Sequence, residues 1–233
     1  MNIRKLTVAV LVITVLGFFL LGMKAYQQRV QQSQAQKVEQ ALAEARSAPA
    51  DPARAADNRL VRFHSPTVGP ARAPVTLVEF FDPACETCRA FHPIVKDILA
   101  RYPDNVRLVI RYAPFHAGAD EVVKLLEAAR RQNLYLPVLE SVLAAQPQWA
   151  NHGRPDIALA FRAAEQAGLD MARARLDAAS DAVAAALRQD IEDLTALEVT
   201  RTPTFFVNGR QLPSFGESQL RALVADEVAR SRR

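Results

Sequence analysis

A chain of 233 residues, half of them apolar and 23% charged, has a globular composition and excludes a disordered or collagen-like protein. The length allows one large domain or two small ones, and the net charge of +4 comes from scattered basic residues that form no nucleic-acid-binding surface. Two cysteines, three positions apart, are too few and too close for an extracellular domain stapled by disulfides.

In chain order, Arg4 and Lys5 precede an uncharged, mostly apolar stretch, Leu6–Met23, of 18 residues. As a helix it spans the roughly 30 Å hydrocarbon core of a bilayer. The following run, Gly22-Met23-Lys24-Ala25-Tyr26-Gln27, offers no small-x-small cleavage site, and Lys24 and Tyr26 suit an interfacial anchor. Residues 1–23 are therefore expected to be an uncleaved anchor rather than a removed signal, with a short tail inside and the bulk of the chain outside. From Gln27 to Arg46, Gln, Ala, Glu and Lys favour a polar helix; its large apolar positions, Val30, Val38 and Leu42, are sparse. A helical stalk that can oligomerise through weak heptads, then a linker carrying Pro49 and Pro52, is expected over residues 24–59.

The folded domain is expected over residues 60–230. Val75–Phe81 is a compact run rich in β-branched and aromatic residues, a buried strand. From Cys85 to Arg101, Cys88, Phe91, Val95, Ile98 and Leu99 share a helical face, and Pro93 is expected to kink this helix rather than end it. Val106–Tyr112 reads as a second buried strand, so the unit suits a right-handed βαβ crossover. Between Ala119 and Leu197 no strand is expected; Pro137, Pro147, Gly153, Pro155 and Gly168 divide the stretch into about four helices, an insertion over about 118–197. Thr204–Val207 is then a strand, Asn208-Gly209 a two-residue turn needing positive φ, Arg210–Leu212 the returning strand, and Glu217–Arg230 an amphipathic helix. The outline is an α/β fold: βαβ, a helical block, then ββα.

The chemistry centres on Cys85-Glu86-Thr87-Cys88. Positions i and i+3 of a helix lie on one face, within disulfide reach. Cys85 falls at the first turn, where free backbone amides and the helix dipole favour an anion, so it is expected to be the low-pKa nucleophile and the exposed sulfur. Cys88, on the apolar face, is expected to be the buried resolving thiol that attacks a mixed disulfide. A structural zinc site takes four ligands, and His64, His92, His116 and His152 supply no second paired spacing, so no metal is expected. A structural disulfide closing so short a loop would stabilise little. Glu79 lies six residues before Cys85; it is either a buried carboxylate with a raised pKa that relays protons to Cys88, or a solvated carboxylate at a strand edge. Thr202-Pro203 precedes the strand at Thr204, where Pro203 is either a trans opener or a cis proline.

The run from Ser65 through Gly69-Pro70-Ala71-Arg72-Ala73-Pro74 to Glu79-Phe80-Phe81-Asp82-Pro83-Ala84-Cys85 resembles the DsbA-like thioredoxin family. Arg201-Thr202-Pro203-Thr204-Phe205-Phe206-Val207-Asn208-Gly209 is similar to that family's cis-proline strand and hairpin. The likeness covers about residues 60–230. It implies a thioredoxin fold with an inserted helical subdomain, a cis Pro203 facing a redox-active Cys85–Cys88 disulfide with no other cofactor, and a Thr202 whose backbone holds an extended substrate peptide. It also implies unfolded or cysteine-containing envelope proteins as substrates, a membrane redox partner, and a periplasmic catalytic domain tethered to the inner membrane through residues 6–23. Tyr112-Ala113-Pro114-Phe115-His116 is similar to the family's second-strand exit, but this gives His116 no catalytic role.

Strongly oxidising members of that family carry Pro-His between the cysteines. Here the dipeptide is Glu86-Thr87, and the charge of Glu86 should oppose a thiolate at Cys85. About 30 mV corresponds to about 1.4 kcal/mol for a two-electron couple, so one lost favourable contact shifts the potential by tens of millivolts and a less oxidising pair is expected. Oxidation, reduction and isomerisation share these residues. Two other functions stay open at this level: a tethered chaperone or binding module, and a thiol-based chaperone for Cu(I) or Zn(II).

Overall fold

Seven consecutive residues that are β-branched, aromatic or apolar, interrupted only by Glu79, form strand β2 (Val75–Phe81) at the centre of the domain. The computed structural model describes residues 21–37, 39–40, 43, 59–151 and 153–232. The chain divides into two units, Met1–Pro49 and Ala50–Arg233. In the first, residues 21–37 are helical and exposed along their whole length. The expected anchor at residues 1–23 lies almost wholly outside the described residues. Among those described, no helix is long and apolar enough to cross a membrane.

The second unit holds a five-stranded sheet in the order β1–β3–β2–β4–β5. Strand β1 (Thr67–Val68) pairs antiparallel with β3 (Val106–Tyr112), and β3 runs parallel to β2 with Glu79 opposite Ile110. Strand β4 (Thr204–Val207) is antiparallel to β2, with Glu79 opposite Phe205, and β5 (Arg210–Gln211) closes the hairpin. Asn208 and Gly209 at the turn have φ of 47° and 78°, the double positive φ anticipated there. Strand β1 was not anticipated, because two residues carry no periodicity. It ends at Gly69 (φ 103°), where a Cβ would stand 2.8 Å from the Val106 carbonyl oxygen, so the turn into β2 requires glycine.

Helix α1 (Glu86–Arg101) connects β2 to β3 and buries Cys88, Phe91, Val95 and Ile98, the apolar face expected from their spacing. Pro93 sits on its exposed side and the helix runs on through it. The insertion contains five helices rather than about four: α2 (Ala119–Arg131), α3 (Tyr135–Trp149), α4 (Ile157–Gln166), α5 (Met171–Ala178) and α6 (Asp181–Ala196). Two of the expected dividers do not divide. Pro137 lies in the first turn of α3, where its missing N–H is no loss, and Pro147 falls in the last turn. Gly153, Pro155 and Gly168 do fall between helices as expected; further boundaries are made by Asn133 in a left-handed conformation (φ 59°) and by Asp170, whose side chain caps α5 through the Ala172 and Arg173 amides. A further break at Ala179–Ser180 separates α5 from α6. Helix α7 (Glu217–Ser231) ends the fold.

Each face of the sheet has its own core. On one face, Leu77, Phe81, Ile110, Tyr112 and Phe205 pack with α1, α7 and the inserted helices. On the other, Val78, Phe80, Val109 and Phe206 pack with Leu194 and Val199 at the end of α6 and with Leu60, where the domain was expected to begin. Each fully buried Leu or Phe contributes about 1.5–3 kcal/mol relative to exposure.

This second face also carries a buried ionic cluster. Arg111, fully inaccessible, donates from Nε and Nη2 to Asp190 Oδ1 (3.0 and 2.7 Å), from Nη2 to Asp193 Oδ2 (2.7 Å), and from Nη1 to the Arg59 carbonyl. Asp190 also meets His64 Nε2 at 2.8 Å and accepts the Tyr112 amide at 2.8 Å. Arg62 makes a two-pronged contact with Asp193 at 2.7 and 2.6 Å. The segment leading into the domain is thus bound to β3 and α6 through Arg59, Arg62 and His64.

Candidate active site

The first unpaired amides of α1 face the end of β2, and the two cysteines sit on this junction. Cys85 is the N-cap, in extended conformation, and Cys88 lies one turn into the buried face. Both are free thiols. Cys88 is wholly buried. Cys85 is 6% exposed, so the exposed sulfur expected from its position is corrected: the sulfur lies against the Thr202 carbonyl at 3.4 Å. It remains the more accessible of the two.

The surroundings drive the two thiols in opposite directions. Cys85 is lowered from the usual thiol range to about 5. The largest cause is a hydrogen bond from the Cys88 thiol. Burial opposes it, while the Thr202 side chain and the amides of Cys88 and Thr87 support the anion. Cys88 is pushed well above the ordinary value by burial, then by its bond to Cys85 and by the negative charges of Glu79 and Cys85. Its strongest counterweight is the Asp82 amide, 3.5 Å from Cys88 Sγ. Alkylation of the reduced protein by iodoacetamide is therefore expected to be confined to Cys85, half-maximal near pH 5. Rates rising only above pH 8 would contradict this assignment.

Of the other residues picked out by sequence, Glu79 is 4% exposed and its Oε1 has no hydrogen-bond partner among the described residues. Burial, followed by the charge of Cys85, raises it to about 8. The structure thus selects the buried reading of Glu79 over a solvated strand edge. The Thr202–Pro203 bond is cis, Pro203 is buried, and the Thr202 carbonyl lies 3.4 Å from Cys85 Sγ. A groove of about 300 Å³ runs beside this loop, lined by Arg201, Pro203, Thr204, Leu212 and Phe215. Glu86 and Thr87 are both exposed on the first turn of α1.

Two features of the site escaped the sequence reading. Asp82, fully buried in the turn between β2 and the cysteines, accepts the Ala84 amide (2.8 Å) on one oxygen. Its other oxygen takes the Phe115 amide (2.8 Å), the His116 amide (3.0 Å) and His116 Nδ1 (2.8 Å). Gln146 of α3, 1% exposed, donates to the Pro83 and Cys85 carbonyls at 2.8 and 3.0 Å and accepts from Arg89 Nε at 2.8 Å. The inserted helices therefore hold the head of α1 directly. Among the described residues, no group of three or more His, Cys, Asp or Glu side chains is arranged to hold a metal.

A βαβ unit and a ββα unit sharing one sheet, a Cys-x-x-Cys pair heading the first helix and a cis proline against it define a thioredoxin-like dithiol protein. Comparison with known proteins agrees: the thioredoxin family model matches residues 63–226. The chain belongs to that family, in the DsbA-like form with helices inserted between the two halves. A thioredoxin-like oxidoreductase from Silicibacter pomeroyi is 28% identical, with a TM-score of 0.64 over 76% of this chain and 97% of its own. Wolbachia pipientis α-DsbA1 (16% identical, TM-score 0.66, 74% and 95% covered) shares the fold, as does a periplasmic thioredoxin-like protein from Salmonella enterica serovar Typhimurium (21%, 0.60, 74% and 95%). Among curated proteins, a Na+/H+ antiporter, NhaA 3, of Salinispora tropica is 36% identical over 146 residues, 61% of this chain and 21% of that protein. The antiporter NhaA of Herminiimonas arsenicoxydans is 35% identical over 144 residues, 62% and 22%. The chain thus spans about a fifth of the length of these curated relatives.

Proposed function

We propose that this protein exchanges disulfides with cysteine-containing proteins of the bacterial cell envelope, using Cys85 and Cys88. The observation that carries the reading is the opposite displacement of two adjacent thiols, one toward the thiolate and one away from it, beside the Thr202–Pro203 loop. Family membership supports it at the level of thiol–disulfide oxidoreductases.

In the oxidising direction, a substrate thiolate attacks Sγ of Cys85 in the Cys85–Cys88 disulfide. The S–S bond breaks, Cys88 leaves as a thiolate, and it takes a proton from Glu79, which is protonated below about pH 8. A second substrate thiolate then attacks the substrate sulfur of the mixed disulfide and Cys85 leaves as a thiolate. Two electrons pass from substrate to enzyme, and a membrane redox partner must remove them. In the reducing direction the steps reverse: Cys85 attacks, Glu79 as carboxylate accepts the Cys88 proton, and Cys88 releases the product. The backbone of Thr202 holds the substrate chain extended along the groove beside Pro203. Residues 6–23 anchor the domain in the inner membrane with the catalytic unit in the periplasm. Glu86 and Thr87 make the pair a milder oxidant than members with Pro-His between the cysteines.

Cys88→Ala is expected to accumulate mixed disulfides between Cys85 and envelope proteins, and Cys85→Ala/Cys88→Ala to accumulate none. No trapped species in the single variant would sink the exchange reading. Stoichiometric Cu(I) binding that competes with disulfide formation would point to the metal-chaperone alternative. The in vivo redox state of the pair sets the direction: oxidised for an oxidase, reduced for a reductase or isomerase.

A further inference from the structure

The turn joining β2 to α1 distributes its backbone donors unevenly. The Ala84 amide goes to Asp82 Oδ1 at 2.8 Å and the Cys85 amide to the Asp82 carbonyl at 3.1 Å, while Pro83 has no N–H to give. The Asp82 amide turns instead to sulfur, donating to Cys88 Sγ at 3.5 Å from a residue with no exposed surface. The Asp82 carboxylate is meanwhile tied to the segment leaving β3. Its Oδ2 accepts the Phe115 and His116 amides at 2.8 and 3.0 Å and meets His116 Nδ1 at 2.8 Å. We infer that the Asp82 side chain is a positioning group that aims its own backbone N–H at Cys88 Sγ, so that charge developing there as the disulfide opens or closes meets a fixed donor. The inference rests on the proposed exchange, in which Cys88 is the leaving or attacking sulfur.

A neutral sulfur is a poor acceptor and a thiolate a good one, so this contact strengthens as the S–S bond stretches and charge collects on Cys88. A donor fixed beforehand acts on that transition state without reorganising. Cys88 needs such help. Burial disfavours its anion, and Glu79 and Cys85 face it as negative neighbours; the Asp82 amide opposes them. The turn is also held from its other side, where Gln146 of α3 donates to the Pro83 and Cys85 carbonyls, so the amide has little room to swing. Asp82 is itself an anion, and its charge alone would oppose a thiolate at Cys88. Aim and charge therefore predict opposite results when the carboxylate is neutralised.

Asp82→Asn makes that separation. It keeps one oxygen for the Phe115 and His116 amides but sets an NH2 group against the Ala84 amide, which loosens the turn. Opening of the Cys85–Cys88 disulfide by reduced glutathione in the full-length protein is followed by acid quench and mass spectrometry. A glutathione thiolate bonds to Cys85 Sγ, the S–S bond breaks, and its electron pair passes to Cys88 Sγ, which then takes a proton. The variant is expected to open about tenfold more slowly, the effect of weakening one hydrogen bond to a charged atom. The equilibrium with glutathione should stay unchanged, because Cys88 is neutral at both ends of the reaction, and the Cys85 midpoint near pH 5 should stay in place. Opening as fast as the wild type, or faster, would overturn the proposal. So would slow opening with a displaced equilibrium or Cys85 midpoint, since that would mark a disordered head of α1. Failure of Cys88→Ala to trap envelope proteins, with the slow opening of Asp82→Asn intact, would instead count against the proposed function alone.

Discussion

Replacing Arg111 by methionine is expected to cost about 3–5 kcal/mol of folding stability, enough to unfold much of a domain whose total stability is about 5–15 kcal/mol. The side chain is wholly buried between Asp190 and Asp193, and methionine fills its volume without its charge. The loss therefore comes less from missing attraction than from two buried carboxylates left to share Arg62 and the His64 ring. Stability should also respond differently to acid. Burial raises the Asp193 pKa, but the hydrogen bonds from Arg62 and Arg111 outweigh it, so the carboxyl titrates below the ordinary aspartate value. Its contribution is present above that value and is lost as pH falls through the depressed one. With Arg111 removed, mild acidification should instead stabilise the variant, because protonation relieves the buried charge. Urea denaturation at two pH values checks both statements, and a loss under about 1 kcal/mol would show the cluster to be far better hydrated than its burial indicates.

Glu79→Gln is expected to slow release of a trapped mixed disulfide by about 100-fold, the low end of what a positioned acid or base supplies. In the wild-type protein this step should accelerate with pH and level off above about 8, where the carboxylate becomes the majority form able to accept the Cys88 proton. The variant should be slow and lack that inflection; single-turnover release by quenched flow makes the comparison. Misfolding is separable from loss of chemistry. The folded pKa of Glu79 is raised, so its contribution to stability is complete below the ordinary glutamate value and is lost as pH rises through about 8. Glutamine removes that loss, so Glu79→Gln should be the more stable protein at pH 8 while being the slower one. Retention of the wild-type inflection would remove Glu79 from the proton path.

Features that repeat along the chain were open to sequence reading. The apolar runs at Val75–Phe81 and Val106–Tyr112, the spacing of Cys88, Phe91, Val95 and Ile98, and the Asn208-Gly209 turn all express local rules, and each element is found within a residue or two of its expected bounds. What stayed hidden depends on long separations. Asp82 meets His116 across 34 positions, Gln146 reaches the Cys85 carbonyl across 61, and Arg111 meets Asp190 across 79. Neither Gln146 nor His116 announces its partner locally. Arg111 did leave a sign: a charged residue inside a buried strand, answered by Asp190 and Asp193 one helical turn apart. The helix count erred for a related reason. Prolines were read as breaks, whereas Pro137 and Pro147 occupy helix ends that tolerate them, and the working breaks at Asn133 and Ser180 are weaker signals.

The salt-bridged segment from Arg59 to His64 has a mechanical meaning. It is fastened to the sheet face opposite the one that bears α1, so a pull on Arg59 is borne by β3 and α6 rather than by the Thr202–Pro203 loop.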